Sequence, residues 1–189
     1  MHLYHEFRKV GEDLSRGGLV DSHSGNLSVR LGQKLVVTRS GSMLGRLTFS
    51  DLVEVLLNNE TLNGASIETV VHRAIYRGTG AKAIVHAHPP FVVCLSSKTE
   101  NLMPIDGEGQ YYFPDGIPVA AVAETIGSRE MASVVPPLFS SSMVVAVPGH
   151  GTFAIGKDLD EALKYTTAAE HAVRNIYLTT IYEKFYVLP

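Results

Sequence analysis

The stretch Ala83-Ile84-Val85-His86-Ala87-His88-Pro89-Pro90 organises the chain. Ala-Ile-Val is short, apolar and β-favouring, and two prolines stop it, so it predicts a buried strand that ends in a turn. Residues two apart on a strand share a face, which puts His86 and His88 on one side and Ala87 on the other. Two neutral imidazoles on one side suit a zinc-like ion, which takes nitrogen ligands at about 2.0–2.1 Å and three or four protein ligands. On its own an H-x-H pair more often means one core histidine and one solvated one. The rest of the chain decides between the two.

Upstream, Leu3, Phe7, Val10 and Leu14 recur at helical steps, and Gly17-Gly18 ends that helix. A polar loop, Asp21 to Asn26, leads into Leu27-Ser28-Val29-Arg30-Leu31, which alternates strictly. Gly32-Gln33 turns it back into Lys34-Leu35-Val36-Val37-Thr38, a β-hairpin. The sheet therefore starts with antiparallel pairing, and neither G-x-G-x-x-G nor G-x-x-x-x-G-K-[ST] is present to support a nucleotide-binding fold. Leu52 to Leu57 reads as a further strand, and Ser66 as the N-cap of a helix over Ile67–Tyr76.

Downstream, Phe91 to Ser97 reads as a short helix and residues 98–117 as irregular. Ile117–Val122 is an expected strand, and Glu124–Val135 an expected helix stopped by Pro136-Pro137. Met143–Val147 and Thr152–Gly156 make a second hairpin around Pro148-Gly149-His150-Gly151. Asp158 or Asp160 caps a last helix with Ala162, Tyr165, Ala169, Val173, Ile176 and Tyr177 on one face. The expected class is α/β with a mixed or antiparallel sheet.

With 189 residues, 45% apolar and 19% charged, the chain reads as one domain over 1–189, large enough to bury a full core. A net charge of −3 without a basic run excludes an electrostatic footprint for nucleic acid. No apolar run approaches the ~20 residues of a membrane span, and the N-terminal stretch has no signal-peptide core. The lone Cys94 excludes an intrachain disulfide and fits a reducing cytoplasm. Its apolar neighbours predict a buried thiol, a poor nucleophile.

His150, in a glycine-flanked turn between two strands, is the third candidate ligand. The histidines at 2, 5, 23 and 171 read as surface residues, and His72 as a packing or hydrogen-bonding residue of its helix. Glu68 stands in the first turn of the helix opened by Ser66, where the dipole favours an anion. A catalytic base beside a metal would also be a carboxylate, with its pKa pushed towards neutrality by desolvation. Gly25-Asn26, Ser40-Gly41 and Ser66 are loops of small residues whose N–H groups and hydroxyls could together hold a phosphate.

Taken in order, Gly25-Asn26-Leu27-Ser28, Thr38-Arg39-Ser40-Gly41, Ser66-Ile67-Glu68 with His72 four on, His86-Ala87-His88-Pro89 and Gly149-His150-Gly151 resemble the class II aldolase/adducin-head family. Within it the resemblance is nearest to the aldolases that act on L-fuculose 1-phosphate. It implies a three-layer α/β/α sandwich with a largely antiparallel sheet, and a cyclic homotetramer with active sites between subunits. It implies one zinc ion per subunit, or manganese or cobalt in its place, on His86, His88 and His150, with Glu68 as acid/base and occasional fourth ligand. It also implies a phosphate site of Gly25, Asn26, Ser40, Gly41 and Ser66. Where the aldolases commonly carry Ser-Ser-Glu, the chain has Ser66-Ile67-Glu68, which removes one hydroxyl. Glu108 falls nearest the place of the aldolases' second acid/base residue, a tyrosine from the next subunit, with Tyr111 and Tyr112 just beyond.

The activity so implied is cleavage of a ketose 1-phosphate to dihydroxyacetone phosphate and a small aldehyde. Relatives in the family epimerise pentulose phosphates, dehydrate methylthioribulose phosphate or decarboxylate, and the adducin heads have lost the metal. A Schiff-base mechanism would need a desolvated lysine at the site. The nearest, Lys82, stands at the opposite end of the central strand from His86 and His88.

Overall fold

The computed structural model describes residues 2–186; Met1 and residues 187–189, which the single-domain expectation includes, lie outside them. The elements run α1 (His2–Arg16), β1 (Asn26–Leu31), β2 (Lys34–Thr38), β3 (Leu52–Leu56), α2 (Thr69–Gly78), β4 (Ala83–Ala87) and α3 (Pro90–Ser96). They continue as β5 (Asn101–Leu102), α4 (Gly107–Tyr112), β6 (Ile117–Pro118), α5 (Arg129–Leu138), β7 (Val144–Val147), β8 (Gly151–Gly156) and α6 (Leu159–Tyr186). Six strands form one sheet in the order β3-β2-β1-β4-β8-β7, with every neighbouring pair antiparallel.

Side-chain alternation along these strands sends two apolar sets in opposite directions. Leu27, Val85 and Ala154 meet Phe7 and Leu14 of α1, Val92 of α3 and Ala169 and Val173 of α6 on one face. Val37, Ile84, Val145 and Phe153 meet Val71 and Ile75 of α2 and Met131 and Val135 of α5 on the other. Central β4 is therefore buried at all five positions, as its unbroken apolar run predicts. The result is the expected three-layer α/β/α sandwich around an antiparallel sheet. Among the described residues no helix is long and apolar enough to cross a membrane.

Several local expectations change. Regular α2 begins at Thr69, because Ser66 opens a tighter turn first: its carbonyl accepts from Thr69 N at 3.0 Å and its Oγ from Glu68 N at 3.3 Å. The helix expected over Glu124–Val135 starts at Arg129, after its Ser128 cap, and includes both prolines. Proline's fixed φ suits a helix, and Phe139 N closes the final turn on the Pro136 carbonyl at 3.2 Å. The segment 98–117 holds α4, opened by Asp106, whose side chain accepts from Gly109 N. The strand expected over Ile117–Val122 is regular only at Ile117–Pro118. Cys94 is exposed, not buried, because α3 turns Val92 and Ser96 inward and residue 94 out. Of the two candidate caps, Asp158 caps α6, accepting from Glu161 N at 2.8 Å.

Candidate active site

His86 sits inside the β4 ladder, opposite Asn26 of β1 on one side and Phe153 of β8 on the other. Its ring stacks on Phe153 at 4.3 Å between centroids, and its Nδ1 bonds the Thr152 carbonyl at 2.9 Å. That bond fixes the ring and turns Nε2 towards the end of the sheet. His88 follows just beyond the strand, with its Nε2 3.1 Å from His86 Nε2. His150 enters from the turn between β7 and β8, its ring centroid 4.8 Å and 4.9 Å from those of His86 and His88. One ligand nitrogen from each of the three lies within 4.8 Å of the others.

All three imidazoles are held in the neutral form that ligates a metal. Burial, then the neighbouring His88 and His150, hold His86 well below its ordinary pKa. Burial lowers His88 likewise, and burial with His88 takes His150 down to about 4. Two ring nitrogens at 3.1 Å match the separation of about 3.3 Å between tetrahedral ligands of a zinc-class ion. The donor set fits such an ion, with the carbonyl contact of His86 as its outer support.

Glu68, at the head of α2, is 4% exposed. Its Oε1 accepts the Gly127 N–H at 3.0 Å and lies 3.8 Å from His150 Nε2, while buried Oε2 has no partner among the described residues. Desolvation raises its pKa to about 7, with the Gly127 bond opposing. A carboxyl group there is poised to exchange protons near neutral pH.

The cleft around these groups encloses about 330 Å³. Gly25, Asn26, Ser40, Gly41 and Ser66 line it with Glu68 and the three histidines. Gly25 is forced by the backbone: at φ 75° it passes so close to the sheet that an added Cβ would meet the His86 carbonyl at 2.8 Å. Asn26 carries a buried Oδ1 with no partner among the described residues. The structure thus brings together every candidate metal and phosphate ligand of the sequence, but neither Glu108 nor its alternatives Tyr111 and Tyr112. Glu108 stays out: it is exposed on α4, beside Asp106, Lys164 and His171.

Other lining residues escape a reading of the sequence. His23 is exposed as expected but also lines the cleft, as does Arg39, adjacent to the Ser40-Gly41 loop. Ile126 and Gly127 arrive from the segment before α5, where nothing in the local sequence marks them; Ile126 lines the cleft and Gly127 bonds Glu68. His72, one turn after Glu68, is wholly buried and bonds Ser28 Oγ at 2.6 Å. Its hydrogen-bonding role is the one expected, and burial takes its pKa down to about 3.

Known proteins share this arrangement of chain. The model for the class II aldolase and adducin N-terminal domain matches residues 5–177. The crystal structure of L-fuculose-1-phosphate aldolase from Thermus thermophilus superposes with a TM-score of 0.94 at 38% identity, covering 99% of this chain and 98% of that one. Methylthioribulose-1-phosphate dehydratase of Gluconobacter oxydans (strain 621H) is 29% identical over 169 residues, 82% of this chain and 81% of its own length. A Nocardia farcinica (strain IFM 10152) protein, named as a probable bifunctional methylthioribose-1-phosphate isomerase/methylthioribulose-1-phosphate dehydratase, is 43% identical over 94 residues. Those residues make up 47% of this chain and 17% of that protein. With fold, histidine cluster and family model in agreement over the same residues, the chain belongs to the class II aldolase and adducin N-terminal domain family.

Proposed function

We propose that the chain is a zinc-dependent aldolase that cleaves L-fuculose 1-phosphate to dihydroxyacetone phosphate and L-lactaldehyde. One observation carries the reading: three neutral imidazoles, a buried carboxyl group with pKa about 7 and small-residue loops converge on one cleft. His86, His88 and His150 would hold the ion, with Glu68 as fourth ligand when substrate is absent. A zinc ion there supplies Lewis acidity at a substrate oxygen.

The rest falls to the chain's own groups. Asn26, Ser40, Gly41 and Ser66 bind the phosphate, and Gly25 lets the loop approach β4 closely. Glu68 takes up and returns the substrate proton at Oε2, the oxygen free of Gly127. Its own burial, at 4% exposure, limits the access of water to that proton. Glu108 is outside the cleft of its own chain, so it would act in a partner's cleft, at the aldehyde oxygen, within a cytoplasmic homotetramer.

A second reading, dehydration of methylthioribulose 1-phosphate, is supported by the names of the two dehydratase relatives. A coupled assay for dihydroxyacetone phosphate separates the readings. Triose phosphate released from L-fuculose 1-phosphate, and lost with chelator and with Glu68→Ala, is the expected result. Metal-loaded protein that releases none from any ketose phosphate overturns the aldolase. Consumption of methylthioribulose 1-phosphate without triose release would establish the dehydratase.

A further inference from the structure

The β4 ladder holds the chain only as far as Ala87, paired with Thr152. His88 lies one residue past it, so something other than the sheet must fix this imidazole beside His86. The segment cannot fix itself either. Pro89 and Pro90 have no N–H, and bonding internal to the segment starts only at Val93 N, which reaches the Pro89 carbonyl at 2.9 Å.

Every N–H from His88 to Val92 is instead accepted by an outside element. His88 N donates to the Leu19 carbonyl, in the loop after α1, at 2.8 Å. Phe91 N donates to both carboxylate oxygens of Glu170 at 3.1 Å, and Val92 N to Oε2 at 3.1 Å. Glu170 comes from the middle of α6, 79 residues along the chain from Phe91. Burial raises its pKa, opposed by these two N–H groups and by Arg174 one turn on. An acceptor of two adjacent amides in a partly dry setting is a stiff clamp, since charge-assisted bonds are roughly twice as strong as neutral ones.

We propose that Glu170 is a positioning residue for His88: by clamping the backbone after the two prolines it sets the placement of that imidazole relative to His86 and His150. The inference rests on the reading of the three histidines as metal ligands. It assigns Glu170 no contact with ion or substrate.

The test is zinc affinity by chelator competition on purified wild type, Glu170→Ala and Glu170→Gln, with far-UV circular dichroism to confirm folding. Loss of a partner bonded directly to a metal ligand costs about ten- to a hundredfold in affinity, so Glu170→Ala, which acts one step further out, is expected to weaken zinc binding by up to about tenfold. Glu170→Gln keeps one acceptor oxygen and should fall between alanine and wild type. Val135→Ala, in the core on the opposite face of the sheet, supplies a destabilised control whose zinc affinity should not move. A folded Glu170→Ala with wild-type affinity overturns the proposal. If alanine prevents folding, Glu170→Gln decides through its zinc affinity and the ring resonances of His88, His86 and His150. Movement confined to His88 supports the clamp, and no movement overturns it. Wild type that binds no zinc would sink the metal reading, and the His88 resonance in the metal-free protein would still test the clamp.

Discussion

Glu68 Oε1 and His150 Nε2 face each other at 3.8 Å without forming an ion pair. Burial holds the carboxyl group's pKa up at about 7 and the imidazole's down at about 4, so between those values both are neutral. The separation exceeds hydrogen-bonding distance. Two groups so placed are held apart by the fold, with neither satisfied by the other.

Replacing Glu68 separates its chemical from its structural cost. Its folded pKa lies above the ordinary 4.5, so its favourable contribution is present below about 4.5 and lost as pH rises to about 7. Ionisation at pH 8 therefore costs the metal-free fold roughly 3 kcal/mol. Metal-free Glu68→Gln should match wild type in urea unfolding at pH 4.5 and exceed it at pH 8. In the proposed aldolase reaction its kcat/KM should drop by about 10²–10⁴-fold.

On the proposed ligand assignment, single removal of any imidazole should empty the metal site. Purified His86→Ala, His88→Ala and His150→Ala are each expected to carry less than a tenth of the wild-type zinc on elemental analysis. His86→Ala should also unfold at lower urea, because it deletes a wholly buried ring stacked on Phe153.

Gly25 and Gly41 share φ 75° but differ in surroundings. A Cβ on Gly25 meets Val20 Cγ1 at 2.7 Å and the His86 carbonyl at 2.8 Å, whereas on Gly41 it meets nothing. Gly41→Ala should cost about 1 kcal/mol of backbone strain, and Gly25→Ala about 2–4 kcal/mol as overpacking adds to it. Thermal unfolding of the two variants provides the comparison.

His72 should share acid sensitivity with His86 and His150, whose pKa values burial also lowers. The folded pKa of His72, about 3, lies below the ordinary 6.5, so the unfolded chain takes up a proton that the folded one refuses. Stability from this residue is full above pH 6.5 and falls with pH, by roughly 3 kcal/mol at pH 4.5. His72→Asn should flatten the slope of unfolding free energy against pH over that interval, whatever its absolute stability.

Legibility in the sequence follows how local each cause is. The period of two along Ala83–His88 predicts both imidazoles on one side, although the strand itself ends at Ala87, and the hairpins announce themselves by alternation. Glu68 is legible as a carboxylate at a helix start, but its pKa depends on burial that no local pattern contains. Ile126 and Gly127 reach the site through tertiary packing alone. Helix α4 escapes a local reading because its Asp106 cap sits among glycines and its six residues gain their order against α6. Cys94 defeats the expectation of burial because an apolar run says how much is buried and not which side of the helix faces in.

The strand order carries a consequence for synthesis on the ribosome. β4 takes its second neighbour from β8, which emerges more than sixty residues later. Until then the central strand is an open edge, with His86 and His88 displayed and His150 not yet made. Until His150 is made, a nascent chain offers only two of the three proposed ligands, and pairing across so long an interval is intrinsically slow. On the proposed ligand assignment, capture of an ion by all three imidazoles would report that the β7–β8 hairpin has joined β4.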